Sequence, residues 1–217
     1  MNISELLNLG SRALKLNKIR THQLDSELVL SNLLNNQREN LIINSDQKVS
    51  ENTIISFNKL INKRSMKEPL AYILKNKEFW SKDFFVNRNT LIPRPETELL
   101  CENIIKIFKD KCVNILDIGT GSGCILLSIL SEIKKARGVG VDISKNAIEV
   151  AKKNANNLKL NKRVKFFPKS FDDLYSYKFD LVVSNPPYIR TCDIKNLSDD
   201  VRKFEPKIAL DGGKDGL

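Results

Sequence analysis

A chain of 217 residues corresponds to about 1.4 domains at roughly 150 residues each, which excludes two complete large domains and leaves one large domain, or a small one joined to an incomplete or compact second. Apolar residues make up 41% and charged residues 29%, a globular composition that excludes disorder and collagen-like repeats. The 36 Lys and Arg against 26 Asp and Glu give a formal charge of +10, which favours encounter with acidic partners; apart from a cluster at Lys159, Lys162, Arg163 and Lys165 the excess is scattered and reads as a solvated face.

From Ile3 to Leu74 the apolar residues recur at helical spacing: Ile3, Leu6, Leu7 and Leu14, then Leu24, Leu28 and Leu34, then Ile54, Phe57, Leu60 and Ile61. This predicts a small helical domain, with Thr21 and Ser50 as N-caps whose hydroxyls accept from the following turn. His22 stands near a predicted helix start with no second histidine or cysteine at ligand spacing, and is assigned a surface or capping role. Between Glu78 and Pro93 two short runs, EFW and FFV, flank the polar turn SKD and predict a β-hairpin. Pro93-Arg94-Pro95-Glu96-Thr97 then starts a helix reaching about Lys109, with proline in the first turn and Glu96 at the positive end of its dipole.

After Cys112 strands and helices alternate: VNILDI, an apolar helix from Gly123, GVGVD, a helix from Lys145 to Leu158, VKFF and FDLVVS. This alternation predicts a doubly wound α/β domain with a parallel sheet. The expected organisation is a helical domain over 1–76, a hairpin linker over 77–94 and an α/β domain over 95–217.

The first strand ends in Asp117-Ile118-Gly119-Thr120-Gly121-Ser122-Gly123 and opens directly into a helix, so a ligand can sit over the helix N-terminus. Such a turn also occurs with no ligand. Asp142, however, closes the second strand 19 positions after Gly123, near the roughly 20 expected of an acid that binds ribose hydroxyls. The G-x-G-x-G spacing departs from the dinucleotide fingerprint and disfavours a dehydrogenase. FDLVVS runs into Asn185-Pro186-Pro187-Tyr188, where two prolines remove two donors and leave the Asn185 side chain and the Pro186 carbonyl as acceptors at the edge of the sheet where α/β folds bind ligands. Two adjacent acceptors suit an NH₂ group. Cys101, Cys112, Cys124 and Cys192 fit neither zinc-site nor disulfide spacing and read as reduced thiols of a cytoplasmic protein. No metal site is expected, and no apolar run is long enough to predict a membrane span.

DxGTGSG, the acid Asp142 and NPPY together resemble S-adenosylmethionine-dependent methyltransferases acting on a planar nitrogen. KEPLAYILKNKEFW, FFVNRNTLIPRPETELL and VRKFEPKIALDGGKDGL further resemble segments of the bacterial release-factor glutamine methyltransferases, the HemK/PrmC family, so that the likeness runs from about Glu27 to Leu217. The resemblance implies a Rossmann-like methyltransferase domain behind a release-factor-recognising helical domain. It implies methyl transfer to the side-chain amide of the glutamine in the Gly-Gly-Gln loop of class I peptide chain release factors, in the cytoplasm, with no nucleic-acid substrate and no membrane association. Carried onto this sequence, Gly119, Thr120, Gly121, Ser122 and Gly123 line the cofactor, Asp142 holds its ribose and Asn185 lies near its methionine part. Asn185, Pro186, Pro187 and Tyr188 grip the glutamine, with Asn185, Pro186 and Tyr188 catalytic. The family often has an acid and tryptophan beside adenine where this chain has Ser170-Phe171, leaving Phe171 to stack on the base.

Two other readings stay open, an adenine-N6 nucleic-acid methyltransferase and an inactive cofactor-binding fragment. The resemblance implies a seven-stranded sheet, whereas four α/β strands are predicted, over residues 113 to 118, 138 to 142, 164 to 167 and 179 to 184. The expectation is a C-terminally truncated chain, or the front part of a longer or fused protein, with one edge of its fourth strand unpaired.

Overall fold

Helix α1 (Ile3–Leu16) begins at a capping box: the Asn2 side chain accepts from the Glu5 amide at 2.8 Å while Glu5 accepts from the Asn2 amide at 2.9 Å. The computed structural model describes residues 1–173 and 178–216; Leu217, the last residue of the expected α/β domain, and residues 174–177 within it lie outside the described residues. The chain divides into two compact units, Met1–Leu74 and Lys75–Leu217.

The first unit continues with α2 (His22–Leu34), α3 (Arg38–Ile43), α4 (Glu51–Ser65) and α5 (Leu70–Leu74). Leu6, Leu14, Val29, Leu30, Phe57 and Ile61 form its core. Ser50 caps α4 by accepting from the Thr53 amide at 3.2 Å. Thr21 makes no side-chain cap, because its backbone is not extended (ψ 24°). His22 Nδ1 lies 2.8 Å from Ser11 Oγ.

The apolar stripe of α2 also differs from expectation. Leu24 is exposed and Leu28 half-buried, while Asp25, Ser26, Val29 and Leu30 face inward. Gly10 makes room for Ser26: a Cβ there would lie 2.7 Å from Ser26 Oγ and 2.6 Å from Phe57 Cζ, so the small residue lets the helices approach closely. The polar residues in this seam are satisfied, with Ser26 Oγ donating to Leu7 O at 3.0 Å and Asp25 accepting from Arg64 Nε at 2.6 Å.

The second unit opens with an antiparallel hairpin of β1 (Lys77–Phe79) and β2 (Lys82–Phe84). Its turn is Trp80-Ser81, with φ 53° and 51°, rather than the expected SKD. Tertiary contacts override turn chemistry here: the Trp80 amide donates to Glu98 Oε1 at 2.9 Å, and its ring packs against the core. Pro95–Thr97 forms a single 3-10 turn before α6 (Glu98–Phe108).

The α/β core follows as β3 (Asn114–Ile118), α7 (Cys124–Glu132), β4 (Arg137–Val141), α8 (Lys145–Asn157), β5 (Val164–Phe167) and β6 (Leu181–Ser184), with α9 (Asp199–Phe204) beyond it. The sheet is parallel throughout, in the order β5-β4-β3-β6. Successive strands therefore step one way from β3 to β5, and β6 pairs on the other side of β3. That reversal creates a switch point at the C-terminal ends of β3 and β6, the place where open α/β sheets bind ligands. Ile115, Leu126, Leu127, Ile129, Ile148 and Val183 bury the interior. Among the described residues β6 is an edge strand, and its Val182 is 55% exposed. No helix among the described residues is long and apolar enough to cross a membrane.

Candidate active site

Each glycine of the turn after β3 takes a positive φ: 70° at Gly119, 55° at Gly121 and 79° at Gly123, conformations open to glycine at little steric cost. The turn is held against the end of β4. Gly119 and Thr120 donate to the Val141 carbonyl at 2.9 and 3.0 Å, and the Gly121 amide donates to Asp142 Oδ2 at 2.9 Å. Asp142 Oδ1 accepts from the Ser144 amide at 2.9 Å, and Ser144 in turn caps α8. A Cβ at Gly119 would meet nothing within 4 Å, so this backbone faces open space.

Beneath the turn Asp117 is buried, accepting from Thr120 Oγ1 at 2.7 Å through Oδ2 and leaving Oδ1 without a partner among the described residues. Burial pushes its carboxyl up to about 7, an effect the Thr120 hydroxyl opposes. Burial likewise pushes the Cys101 and Cys124 thiols up to about 12.

A cavity of about 250 Å³ opens over the switch point. Gly119, Thr120, Gly121, Ser122, Asp142, Phe171, Asn185, Pro186 and Pro187 all border it. Gly123 does not. It forms the N-cap of α7, and a Cβ there would press on Leu127 at 3.0 Å. Thr120 and Ser122 are themselves buried, so their side chains hold the turn more than they face outward. Phe171 is 54% exposed at the start of a 3-10 turn. Tyr188, 68% exposed, lies instead on a second cavity of about 500 Å³. Asn185 and Pro186 border both cavities, and no group among the described residues pairs with the Asn185 side chain.

Other residues shape the site without a motif to announce them. The linker stretch 89–94 walls the first cavity. Asn154 on α8, fully buried, donates to Ser122 O at 2.9 Å and to Phe85 O at 3.0 Å while accepting from the Phe85 amide at 2.8 Å, so one side chain joins the glycine turn to the chain leaving the hairpin. Gly212 passes so close to NPPY that a Cβ would sit 2.7 Å from Pro187 O. Its signal lies in ALDGG, where two glycines end an apolar run; Asn154 on a polar-faced helix gives none.

The groups around the first cavity suit a nucleoside joined to an amino acid. Asp142 retains lone pairs for hydroxyls, the glycine turn presents backbone without side chains, and Ile118, Val141, Ile143 and Phe171 supply an apolar wall for a base.

A family model described as the PrmC N-terminal domain matches residues 5–74, and one described as a methyltransferase domain matches residues 109–208. The chain is 41% identical over 196 residues to the release factor glutamine methyltransferase of Caulobacter vibrioides, covering 89% of this chain and 68% of the relative. It is 40% identical over 218 residues to that of Buchnera aphidicola, covering 100% and 78%. It is also 36% identical over 231 residues to the bifunctional methyltransferase of Rickettsia conorii, covering 94% of this chain but 44% of the relative. The chain thus spans about two thirds to three quarters of the first kind of relative and less than half of the second. A solved human methyltransferase 10 domain containing protein aligns at 18% identity and a TM-score of 0.41, covering 52% of this chain and 59% of that one. The depth and extent of the match to the Caulobacter and Buchnera proteins mean that this chain belongs to the release factor glutamine methyltransferases, a family of S-adenosylmethionine-dependent enzymes.

Proposed function

We propose that the chain methylates the side-chain amide nitrogen of the glutamine in the Gly-Gly-Gln loop of class I release factors, in the cytoplasm. The glycine turn and Asp142 hold S-adenosylmethionine, with the ribose on Asp142 and the adenine against Phe171, and the second cavity receives the glutamine. The observation that carries this reading is that Asn185 and Pro186 border both cavities. Residues at that junction can touch the acceptor and the cofactor together.

When bound, S-adenosylmethionine supplies an electrophilic methyl on a sulfonium. The chain's task lies with the nucleophile. An amide nitrogen is scarcely nucleophilic because its lone pair is delocalised, and no strong base is evident among the site residues. Asn185 Oδ1 and the Pro186 carbonyl would each accept one amide hydrogen, which stabilises positive charge developing on nitrogen and turns the lone pair toward the methyl. As the N–C bond formed, the methyl's bond to sulfur would break with its electron pair left on sulfur, S-adenosylhomocysteine would depart neutral, and one amide proton would pass to solvent. Pro187 stiffens the loop that carries both acceptors, and Tyr188 packs on the amide plane. Positioning of this kind lowers a barrier by about 7–11 kcal/mol, and the acceptor pair adds about 3–4 kcal/mol by analogy with the loss of one oxyanion-hole donor.

The test is mass spectrometry of a purified release factor after incubation with the protein and S-adenosylmethionine, beside a parallel incubation with RNA. The expected product carries one methyl on the loop glutamine. Asn185→Ala should lower turnover by about 10² or more while leaving cofactor affinity much less affected, because its acceptors act most in the transition state. A methyl on any other residue overturns the proposal. Transfer to adenine alone establishes the nucleic-acid reading, and cofactor binding without transfer to either acceptor establishes the fragment reading.

A further inference from the structure

Residues 91–94 have no regular secondary structure, yet they wall the first cavity. Prolines at 93 and 95 remove two backbone donors, so little of this stretch can be held by its own hydrogen bonds. Its polar ties to chain distant in sequence, among the described residues, both end on one side chain. The Ile92 amide donates to Glu205 Oε2 at 3.1 Å, and Arg94 Nη2 donates to Glu205 Oε1 at 2.5 Å. The Glu205 side chain is 1% exposed and that of Arg94 is 34% exposed.

Glu205 is itself fixed. It caps the C-terminus of α9, its amide donating to Val201 O at 3.0 Å, and Pro206 follows, leading into the stretch through which Pro206, Ile208 and Ala209 reach the cavity. Just upstream of the wall, Arg88 stands over the Phe204 ring of α9 at 4.9 Å. Arg94 borders both cavities. An ion pair of this kind adds little stability over an apolar pair of equal volume, so its effect here is geometric.

We propose that Glu205 is a positioning residue for the cofactor, acting through Ile92 and Arg94: its carboxylate locks the linker wall onto the segment after α9 and so fixes the width of the cofactor cavity. This rests on the reading of the first cavity as the S-adenosylmethionine site. The motif resemblance gave these segments no individual roles; the two hydrogen bonds do.

The experiment is calorimetric titration of the full chain with S-adenosylhomocysteine, each variant's fold being checked by a cooperative melt. Glu205→Gln keeps the shape and an acceptor for Ile92 but loses the charge facing Arg94, and should weaken binding at least tenfold. Glu205→Ala should weaken it further, and Glu205→Asp should recover part of the loss. Arg94→Met should also weaken binding about tenfold, and the double variant Arg94→Met/Glu205→Gln should be no weaker than the weaker single variant, as for two residues acting as one unit. Should the Glu205 variants fail to fold, Arg94→Met decides alone. Affinity within twofold of the parent in folded Glu205→Gln, or in Arg94→Met, overturns the inference. Failure of the parent chain to bind overturns the reading of the cavity and the inference with it, whereas a binding parent with unaltered variants overturns the inference alone.

Discussion

Asp142 anchors two features at once, since its carboxylate holds both the glycine turn and the start of α8. In the proposed complex it also accepts from ribose hydroxyls, and each such charge-assisted bond contributes roughly 1.5–3 kcal/mol. Asp142→Ala should therefore weaken S-adenosylmethionine binding at least tenfold in calorimetry, and unchanged affinity in a folded variant would remove Asp142 from the site. Asp117 makes a different prediction. Burial raises its carboxyl from 3.8 to about 7, so the folded protein keeps a proton that the unfolded chain releases. This contribution to stability is fully present below about pH 4 and is lost as pH rises to about 7. Asp117→Asn stays neutral throughout, so its urea midpoint should gain on the parent between pH 4.5 and pH 8; a gap of equal size at both values would refute the assignment. The nearness of Asp142 to the glycine turn, where the Gly121 amide donates to it, was readable because the spacing between them follows a known motif. Asn154 and Glu205 were not, because a buried polar side chain shows its purpose only when its distant partners, Phe85 or Ile92, are folded against it.

The strands of the parallel sheet followed the pattern of their sequence closely. β5 spans the expected residues 164 to 167, and β3, β4 and β6 begin or end one or two residues from expectation. The departures occur where tertiary packing competes with local preference. α2 buries Asp25 and Ser26 beside Val29 and Leu30 because Gly10 allows close approach and Arg64 satisfies Asp25. The hairpin turns at Trp80-Ser81 because Glu98 holds the Trp80 amide and the ring has a packing site. A turn with positive φ at both central residues suits Asn-Gly far better than Trp-Ser. Ser81 is exposed, its φ is 51°, and its side chain has no partner among the described residues. Ser81→Gly should thus relieve backbone strain and stabilise the second unit by about 0.5–1 kcal/mol, the steric relief exceeding the added chain entropy. A shift of the urea midpoint to lower concentration would show that the Ser81 side chain contributes more than its conformation costs.

Across the molecule, two separate cores account for two units. Among the described residues the core of the first unit, including Ile3, Leu14, Leu30, Leu41, Phe57 and Ile61, is drawn from Met1–Leu74, as are the half-buried residues packed on it, Leu7, Leu34, Leu60, Leu70 and Leu74. Its internal polar groups are matched within the same stretch, Asp25 by Arg64 and Ser26 by the Leu7 carbonyl. A chain of this length buries only about 60–65% of its unfolded surface, so its margin is small, but helices packed on sequence neighbours make local contacts that fold readily. Residues 1–74 expressed alone should therefore give a helical far-UV spectrum and a single cooperative urea transition. Phe57→Ala, which empties the fully buried ring site beside Gly10, should remove about 3–5 kcal/mol and abolish that transition. A gradual, non-cooperative loss of helix in the unmodified fragment would show instead that this core depends on chain beyond Leu74.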